Sequence, residues 1–455
     1  MLSDSHCHLQ LLENPNEKVK RAVDSGIEYI ICVGIGGIKG NEKAIELAER
    51  FRNVYATCGI HPTEKEKDST EVLKYIEEVS YHPRVIGIGE TGIDLQNNKE
   101  LKRQIELFRF HIDLSKKTGK PLIVHTRGSD GNSSAFDLAI EEIKGKNVKG
   151  VFHCFSWGKR EALQAKNLGF FISYAGNITY KKKIAETVKS TPFDFALLET
   201  DAPFLTPEQE RGKLNEPSFL VHTAKKVAEL KGIFLEDVFR TVKANLWRVF
   251  NLGENPSYRF TYKIRNSLYI NLTIRCTILC VFCGKFENFF IRGHNLKIPN
   301  EPSVEEVMSE IGDPTVYDEI VFCGYGEPTL RLDELKRISK ELKSKGAKRI
   351  RLDTDGLANL VHNRNILPEL AGLIDSISVS INAPDEETYE KLCPSKYGRS
   401  AYKYVKDFIA QSKKFIPDVK ATAVSHPLVD IEKTRIVVEK ELGVPFKVRD
   451  YGELG

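Results

Sequence analysis

Two sets of residues in this chain of 455 are of types that hold metal. The first starts at once, where the run Ser3 to His8 closes on His6-Cys7-His8. Residues two apart on a strand point to one face, so this pair can place two imidazoles on one cation. The pair gains meaning only if other segments add ligands. They do so at the ends of later apolar runs, which carry His61, Glu90, His125, His153 and Asp201. Imidazole and carboxylate suit Zn, Mg or Mn. His6, His8, His125 and His153 with Glu90 and Asp201 are enough for a two-metal site if they converge. The second set is Cys276, Cys280 and Cys283, crowded into Cys276-Thr277-Ile278-Leu279-Cys280-Val281-Phe282-Cys283. Thiolates are the usual ligands of iron–sulfur clusters. Three from one tight loop would bind three irons of a [4Fe–4S] cube and leave the fourth open. The alternative is zinc, which needs a fourth ligand, with Cys323 as the candidate.

These residues need a frame. Up to about residue 250, strand-like runs alternate with helical patterns such as Glu42 to Phe51, Lys99 to Lys117 and Ser134 to Lys144. The runs are Ser3 to His8, Glu28 to Gly34, Val54 to Ile60, Val85 to Glu90, Pro121 to Thr126, Gly150 to Phe155, Phe170 to Ala175 and Phe195 to Thr200. Eight βα units imply an α/β protein with a closed (β/α)8 TIM barrel, whose functional residues stand at the C-terminal strand ends. The pattern predicts one last helix over Leu230 to Phe250, then a break at Asn251-Leu252-Gly253-Glu254-Asn255-Pro256. The expected domains are therefore 1–255 and 256–455. In the second, runs at Leu268 to Ile274, Glu319 to Phe322, Arg349 to Asp353, Ser376 to Ile381, Val419 to Val424 and Phe446 to Arg449 are too few for a full barrel. They predict an open, partial (β/α)6 barrel.

Composition sets wider bounds. A net charge of +4 argues neither for nor against nucleic acid, and 41% hydrophobic residues allow sizeable cores. Of nine cysteines, Cys7, Cys32, Cys58, Cys154, Cys323 and Cys393 are scattered, which reads as core packing rather than a disulfide framework. Lys181-Lys182-Lys183 reads as a solvated helix start. No apolar run reaches membrane-spanning length and no signal sequence is evident, so the expectation is a cytoplasmic protein without a membrane partner.

The motifs also carry two resemblances. Asp4-Ser5-His6-Cys7-His8-Leu9, Gly59-Ile60-His61-Pro62, Ile88-Gly89-Glu90-Thr91-Gly92-Ile93-Asp94, His125-Thr126-Arg127, His153-Cys154-Phe155-Ser156 and Glu199-Thr200-Asp201-Ala202-Pro203 resemble the TatD family of metal-dependent hydrolases, amidohydrolase-like TIM barrels. The resemblance implies that His6, His8, Glu90, His125, His153 and Asp201 hold two divalent ions, with Glu90 bridging. It makes Asp201 the base that takes a proton from the attacking water, and turns His61 and Arg127 toward a substrate phosphate. Leu95 and Gly128 depart from the family, which usually has an aromatic and often an acidic residue there.

The C-x3-C-x2-C cysteines, with Phe282 before the last, resemble the radical SAM (S-adenosylmethionine) superfamily. Tyr325-Gly326-Glu327-Pro328 is similar to its GGEP element, Thr354-Asp355-Gly356 to its ribose-side turn, and the fourth-strand run to its cofactor-facing strand with Ser378 and Ser380. Tyr325 and Asp355 are the departures. By resemblance, Cys276, Cys280 and Cys283 hold a [4Fe–4S] cluster whose open iron chelates SAM. The backbone and Glu of Gly326-Glu327-Pro328 would hold the methionine amine. Reduction by a flavodoxin- or ferredoxin-type donor would then yield a 5′-deoxyadenosyl radical, with the substrate unknown. The expected function is a fusion of a two-metal phosphodiesterase or deoxyribonuclease, acting on DNA or a nucleotide-like substrate, with a radical SAM enzyme. A second reading makes the barrel an amidohydrolase or deacylase acting on the same metabolite or modified RNA as the other domain. A third makes the cysteine domain a non-catalytic redox or binding module.

Overall fold

The computed structural model describes residues 2–64, 69–96, 100–128 and 134–451. The chain divides into two compact units, Met1–Pro256 and Ser257–Gly455.

In the first unit β1 (Leu2–Cys7), β2 (Ile27–Val33), β3 (Val54–Cys58), β4 (Val85–Asp94), β5 (Leu122–Arg127), β6 (Gly150–Phe152), β7 (Phe171–Tyr174) and β8 (Ala196–Leu198) pair in chain order. Neighbouring strands in this sheet pair in parallel. The ring closes beyond β8. Asp201 N–H donates to the His6 carbonyl at 2.9 Å, His8 N–H to the Ala202 carbonyl at 2.7 Å, and Ser5 Oγ to the Leu198 carbonyl at 2.9 Å. Helices such as Leu101–Thr118 lay an apolar stripe of Leu107, Phe108, Ile112 and Leu114 against the strands. That helix was expected to start at Lys99, which lies outside the described residues.

One expectation fails here. The stretch Leu230 to Phe250 is not one helix but the end of Leu220–Lys231 followed by Leu235–Phe250. Gly232 stops the first, with φ +61°, a left-handed cap that side chains rarely adopt. The apolar period runs on through the turn and hides it. Lys181, Lys182 and Lys183 are exposed where the helix Lys182–Ser190 begins.

The second unit holds β9 (Thr261–Ile264), β10 (Ser267–Ile270), a small ribbon of β11 (Phe290–Ile291) and β12 (His294–Asn295), then β13 (Glu319–Phe322), β14 (Ile350–Thr354), β15 (Ser376–Ser380), β16 (Asp418–Val424) and β17 (Phe446–Arg449). Its main sheet runs β17-β16-β15-β14-β13-β10-β9. The strands from β10 to β17 are parallel and form a partial barrel, while β9 adds an antiparallel edge that the sequence reading missed. Ile350, Leu352, Ile377 and Val379 pack into the core, leaving Arg351, Asp353 and Ser378 on the other face. The final helix changes at Val437 into a π-helical stretch ending at Leu442.

Candidate metal and cluster centres

Two irregular strands carry the first candidate ligands. Asp4 pairs with Ile30 but Cys7 with Cys32, so β1 holds one extra residue around His6. On β4, Ile88 pairs with Leu122 and Thr91 with Val124, again one residue too many, around Glu90. Such bulges re-aim a side chain, and here each brings a ligand to the barrel mouth. Asp4 secures the first. It is fully buried and accepts from the N–H of His6 at 3.3 Å and of Thr200 at 2.9 Å, joining β1 to the segment that ends in Asp201. Burial pushes its carboxyl up to about 8.

At the mouth the ligand atoms fall into two sets around Glu90. Its Oε2 lies 3.4 Å from His6 Nε2 and 3.5 Å from His8 Nε2, and Asp201 Oδ1 lies 3.6 and 3.5 Å from those nitrogens. Its Oε1 lies 2.9 Å from His125 Nδ1, 2.8 Å from His153 Nε2 and 3.4 Å from His61 Nε2. Each oxygen thus serves a different histidine set. Triplets His6–His8–Asp201, His6–Glu90–His153 and His61–Glu90–His125 each gather their ligand atoms within 4.8 Å. The Nε2 atoms of His6 and His8 face each other at 3.3 Å, an arrangement that a cation between them satisfies better than a shared proton. Burial alone would raise the Glu90 carboxyl, but His153, His61 and His125 hold it well below the usual range. Asp201 is likewise held down against burial by His8 and His6.

Around the ligands stand residues to which the sequence reading gave no role. Asp94 Oδ2 lies 3.3 Å from His125 Nε2, which leaves Nδ1 for the metal side. The Val33 carbonyl takes His8 Nδ1 at 2.9 Å, freeing Nε2. Glu199 is buried, accepts from Cys154 N–H at 2.7 Å and from Ser173, and lies 3.5 Å from His153 Nδ1. His61 packs edge-on against His125, ring centres 4.5 Å apart, while Arg127 is exposed at the end of β5.

The cysteine centre is built differently. Cys276, Cys280 and Cys283 are half-buried in a loop whose Leu279 and Val281, on either side of Cys280, are exposed, and Cys283 N–H donates to the Cys280 carbonyl at 3.0 Å. The Gly-Glu-Pro element lies directly behind it. Glu327 N–H donates to the Arg275 carbonyl at 2.8 Å, and a Cβ on Gly326 would stand 2.2 Å from the Thr273 carbonyl oxygen, so only glycine fits. The Glu327 carboxylate is 2% exposed. It accepts from Thr329 N–H at 3.0 Å, Thr329 Oγ1 at 2.6 Å, Thr354 Oγ1 at 2.9 Å and Asp355 N–H at 2.7 Å. Burial, with the Asp355 charge beside it, pushes this carboxyl up to about 8. Its oxygens tie the Thr329, Thr354 and Asp355 segments together. Asp355 accepts from Thr277, inside the cysteine motif, and from Leu357 N–H at 3.0 Å, while Gly356 N–H donates to Thr354 Oγ1 at 3.1 Å. Ser378 is buried on the strand face opposite the helices, and Ser380 Oγ accepts from Arg449 at 3.3 Å. Cys323, the candidate fourth ligand, sits instead beside Asp353. The sulfur facing Cys280 is that of Cys393, at 3.5 Å.

The sequence model of the TatD related DNase family matches residues 3–251, more than half of the chain. The chain belongs to that family. Residues 270–438 match the Radical SAM superfamily, so a TatD-type metal-dependent hydrolase domain is fused to a radical SAM domain. The uncharacterized metal-dependent hydrolase YabD of Bacillus subtilis is 36% identical over 259 residues, 56% of this chain and 100% of its own. The uncharacterized metal-dependent hydrolase YcfH of Escherichia coli is 31% identical over 260 residues, 55% of this chain and 96% of its own. The crystal structure of YJJV, a TatD homolog from E. coli K12, superposes with a TM-score of 0.52 at 25% identity, over 55% of this chain and 98% of that one. The families imply divalent metals in the first unit and an iron–sulfur cluster with SAM in the second. Among the described residues, no helix is long and apolar enough to cross a membrane.

Proposed function

We propose that the first unit hydrolyses phosphodiesters of DNA or a nucleotide-like substrate with two divalent ions, and that the second cleaves SAM reductively for radical chemistry. The observation that carries the first half is the Glu90 carboxylate, whose two oxygens face separate histidine sets. That is the arrangement a bridging ligand needs. Bound ions would lower the pKa of a shared water and offset charge on the attacked phosphoryl group. His6, His8 and Asp201 would hold one ion and His125 and His153 the other. Asp201, kept ionised among these imidazoles and 9% exposed, can accept the proton of the attacking water at Oδ1. His61, beside Glu90, and Arg127, exposed at the end of its strand, would meet the phosphate. Asp94, Val33 and Glu199 keep the ligand nitrogens oriented.

In the second unit Cys276, Cys280 and Cys283 would hold a [4Fe–4S] cluster, which would supply the electron for reductive cleavage of SAM. The Gly326-Glu327-Pro328 backbone would take the methionine amine. Thr354, Asp355 and Gly356 would border the ribose, with Ser378 and Ser380 on the adjoining strand face. The test of the first half is cleavage of DNA by the full chain loaded with Mg, Mn or Zn. Cleavage that disappears in His125→Ala supports the reading. Absence of phosphodiesterase activity with all three metals would overturn it and leave the amidohydrolase alternative.

A further inference from the structure

The cysteine loop does not stand free. Leu279 N–H donates to the Pro394 carbonyl at 2.8 Å, Val281 N–H donates to the Leu392 carbonyl at 2.9 Å, and Ile278 bridges Ser395 in antiparallel fashion. These bonds set Leu279 opposite Pro394 and Val281 opposite Leu392. Cys280 and Cys393 therefore face each other at the non-hydrogen-bonded position between them, where opposed Cα atoms approach to about 4.5 Å. That lies within the span of about 4.4–6.8 Å that a disulfide requires. The two sulfurs are already 3.5 Å apart. Asn382 Nδ2 lies 3.5 Å from Cys393 Sγ on its other side, and Cys393 is 1% exposed whereas Cys280 is half-buried. A cysteine kept only to fill the core needs neither this register nor this contact.

We propose that Cys280 and Cys393 form a reversible disulfide when the cluster is absent, which removes one of the three cluster thiols and makes cluster loading depend on thiol redox state. This rests on the reading of Cys276, Cys280 and Cys283 as the cluster ligands. The oxidant is a low-molecular-weight disulfide. The Cys280 thiol gives up its proton and its sulfur attacks one of the oxidant's sulfurs, forming a mixed disulfide and expelling the first thiolate, which takes that proton. Cys393 then gives up its proton, and its sulfur attacks Cys280 Sγ and expels the second thiolate, which takes that proton. Two protein thiols are oxidised and one small disulfide is reduced to two thiols. Side-chain rotation is enough to close 3.5 Å to a bond of about 2.05 Å, because the backbones are already paired. A sulfur held in this bond has no thiolate to offer iron.

The test uses the full chain freed of iron and treated with oxidised glutathione, then alkylated, digested and mapped by mass spectrometry. The wild type is expected to give a Cys280–Cys393 linked peptide, and iron uptake without reductant should fall about tenfold and return with dithiothreitol. In Cys393→Ala and Cys393→Ser the thiol that faces Cys280 is gone, so glutathione should remain attached to Cys280. Linkage of Cys280 to Cys276 or Cys283, or a Cys280 that stays free to alkylate in the wild type, would overturn the proposal. So would clearance of glutathione from Cys280 in both variants. The cluster reading fails separately, if Cys276→Ala takes up iron as well as wild type. The wild-type peptide map reads the disulfide in either case.

Discussion

The two centres solve the problem of holding metal in opposite ways. In the first unit the candidate ligands are side chains at strand ends, buried or partly buried and already touching. Glu90 meets His125 and His153 at 2.9 and 2.8 Å, and Asp94 and the Val33 carbonyl fix which nitrogen each histidine turns inward. In the second unit the ligands sit on a loop, and its shape comes from backbone bonds to Leu392 and Pro394 and from the Glu327–Asp355–Thr277 network behind it. The difference is that between a site preorganised by its own ligand atoms and a site preorganised by its scaffold. Failure should differ accordingly: a single ligand change disables the first, whereas scaffold changes loosen the second.

The most severe break expected is Glu90→Gln. One carboxylate serves both histidine sets, so the amide should cost about 4 kcal/mol, roughly a thousandfold in phosphodiester hydrolysis, with SAM cleavage unchanged. Steady-state rates on a chromogenic phosphodiester, beside 5′-deoxyadenosine formation with dithionite, check this. Next is Asp94→Asn, which weakens the partner of His125 Nε2 without touching a ligand atom. Metal affinity should drop about ten- to a hundredfold by competition with a chelator. Unchanged affinity would mean that Asp94 orients nothing.

These two differ in how readable they were. His6, His8, Glu90, His125, His153 and Asp201 stand at the ends of apolar runs, and a parallel barrel brings such ends together, so their convergence was legible from type and position. Asp94 and Glu199 lie in quoted motifs, yet nothing in their spacing tells a ligand from a residue that orients one. The bulges at His6 and Glu90 leave no mark on the apolar alternation. Cys393 was farther out of reach. It faces Cys280 across 113 residues, through pairing between two irregular segments that carry no periodic signal. The antiparallel strand β9 was lost to the turn-rich join before it, and the stop at Gly232 was masked by an apolar period that continues beyond it.

Smaller effects sharpen the contrast. Glu327→Gln puts an amide donor among four donors and should lower stability by about 1–3 kcal/mol, read as a shift in the denaturant midpoint, with faster iron loss than in wild type. No change in either would show that the scaffold does not depend on this carboxylate. The weakest expected effect lies in the first unit. Burial would raise the Glu216 carboxyl, but Arg21, Lys18 and Ser218 hold it down from 4.5 to about 2. Its contribution is then complete above 4.5 and lost as pH falls through about 2. Glu216→Gln should remove that part of the acid limb, so the stability gap between wild type and variant narrows across this window. A gap that stays constant with pH would refute the assignment.

Elemental analysis of three proteins decides whether one chain carries two metal centres that load separately. Wild type, Glu90→Gln and Cys276→Ala are loaded anaerobically with iron, sulfide and a divalent metal, desalted and counted. Glu90→Gln is expected to lose the divalent metal and keep its iron, while Cys276→Ala loses iron and keeps the divalent metal. Loss of both from either variant, or retention of both, would contradict separate loading.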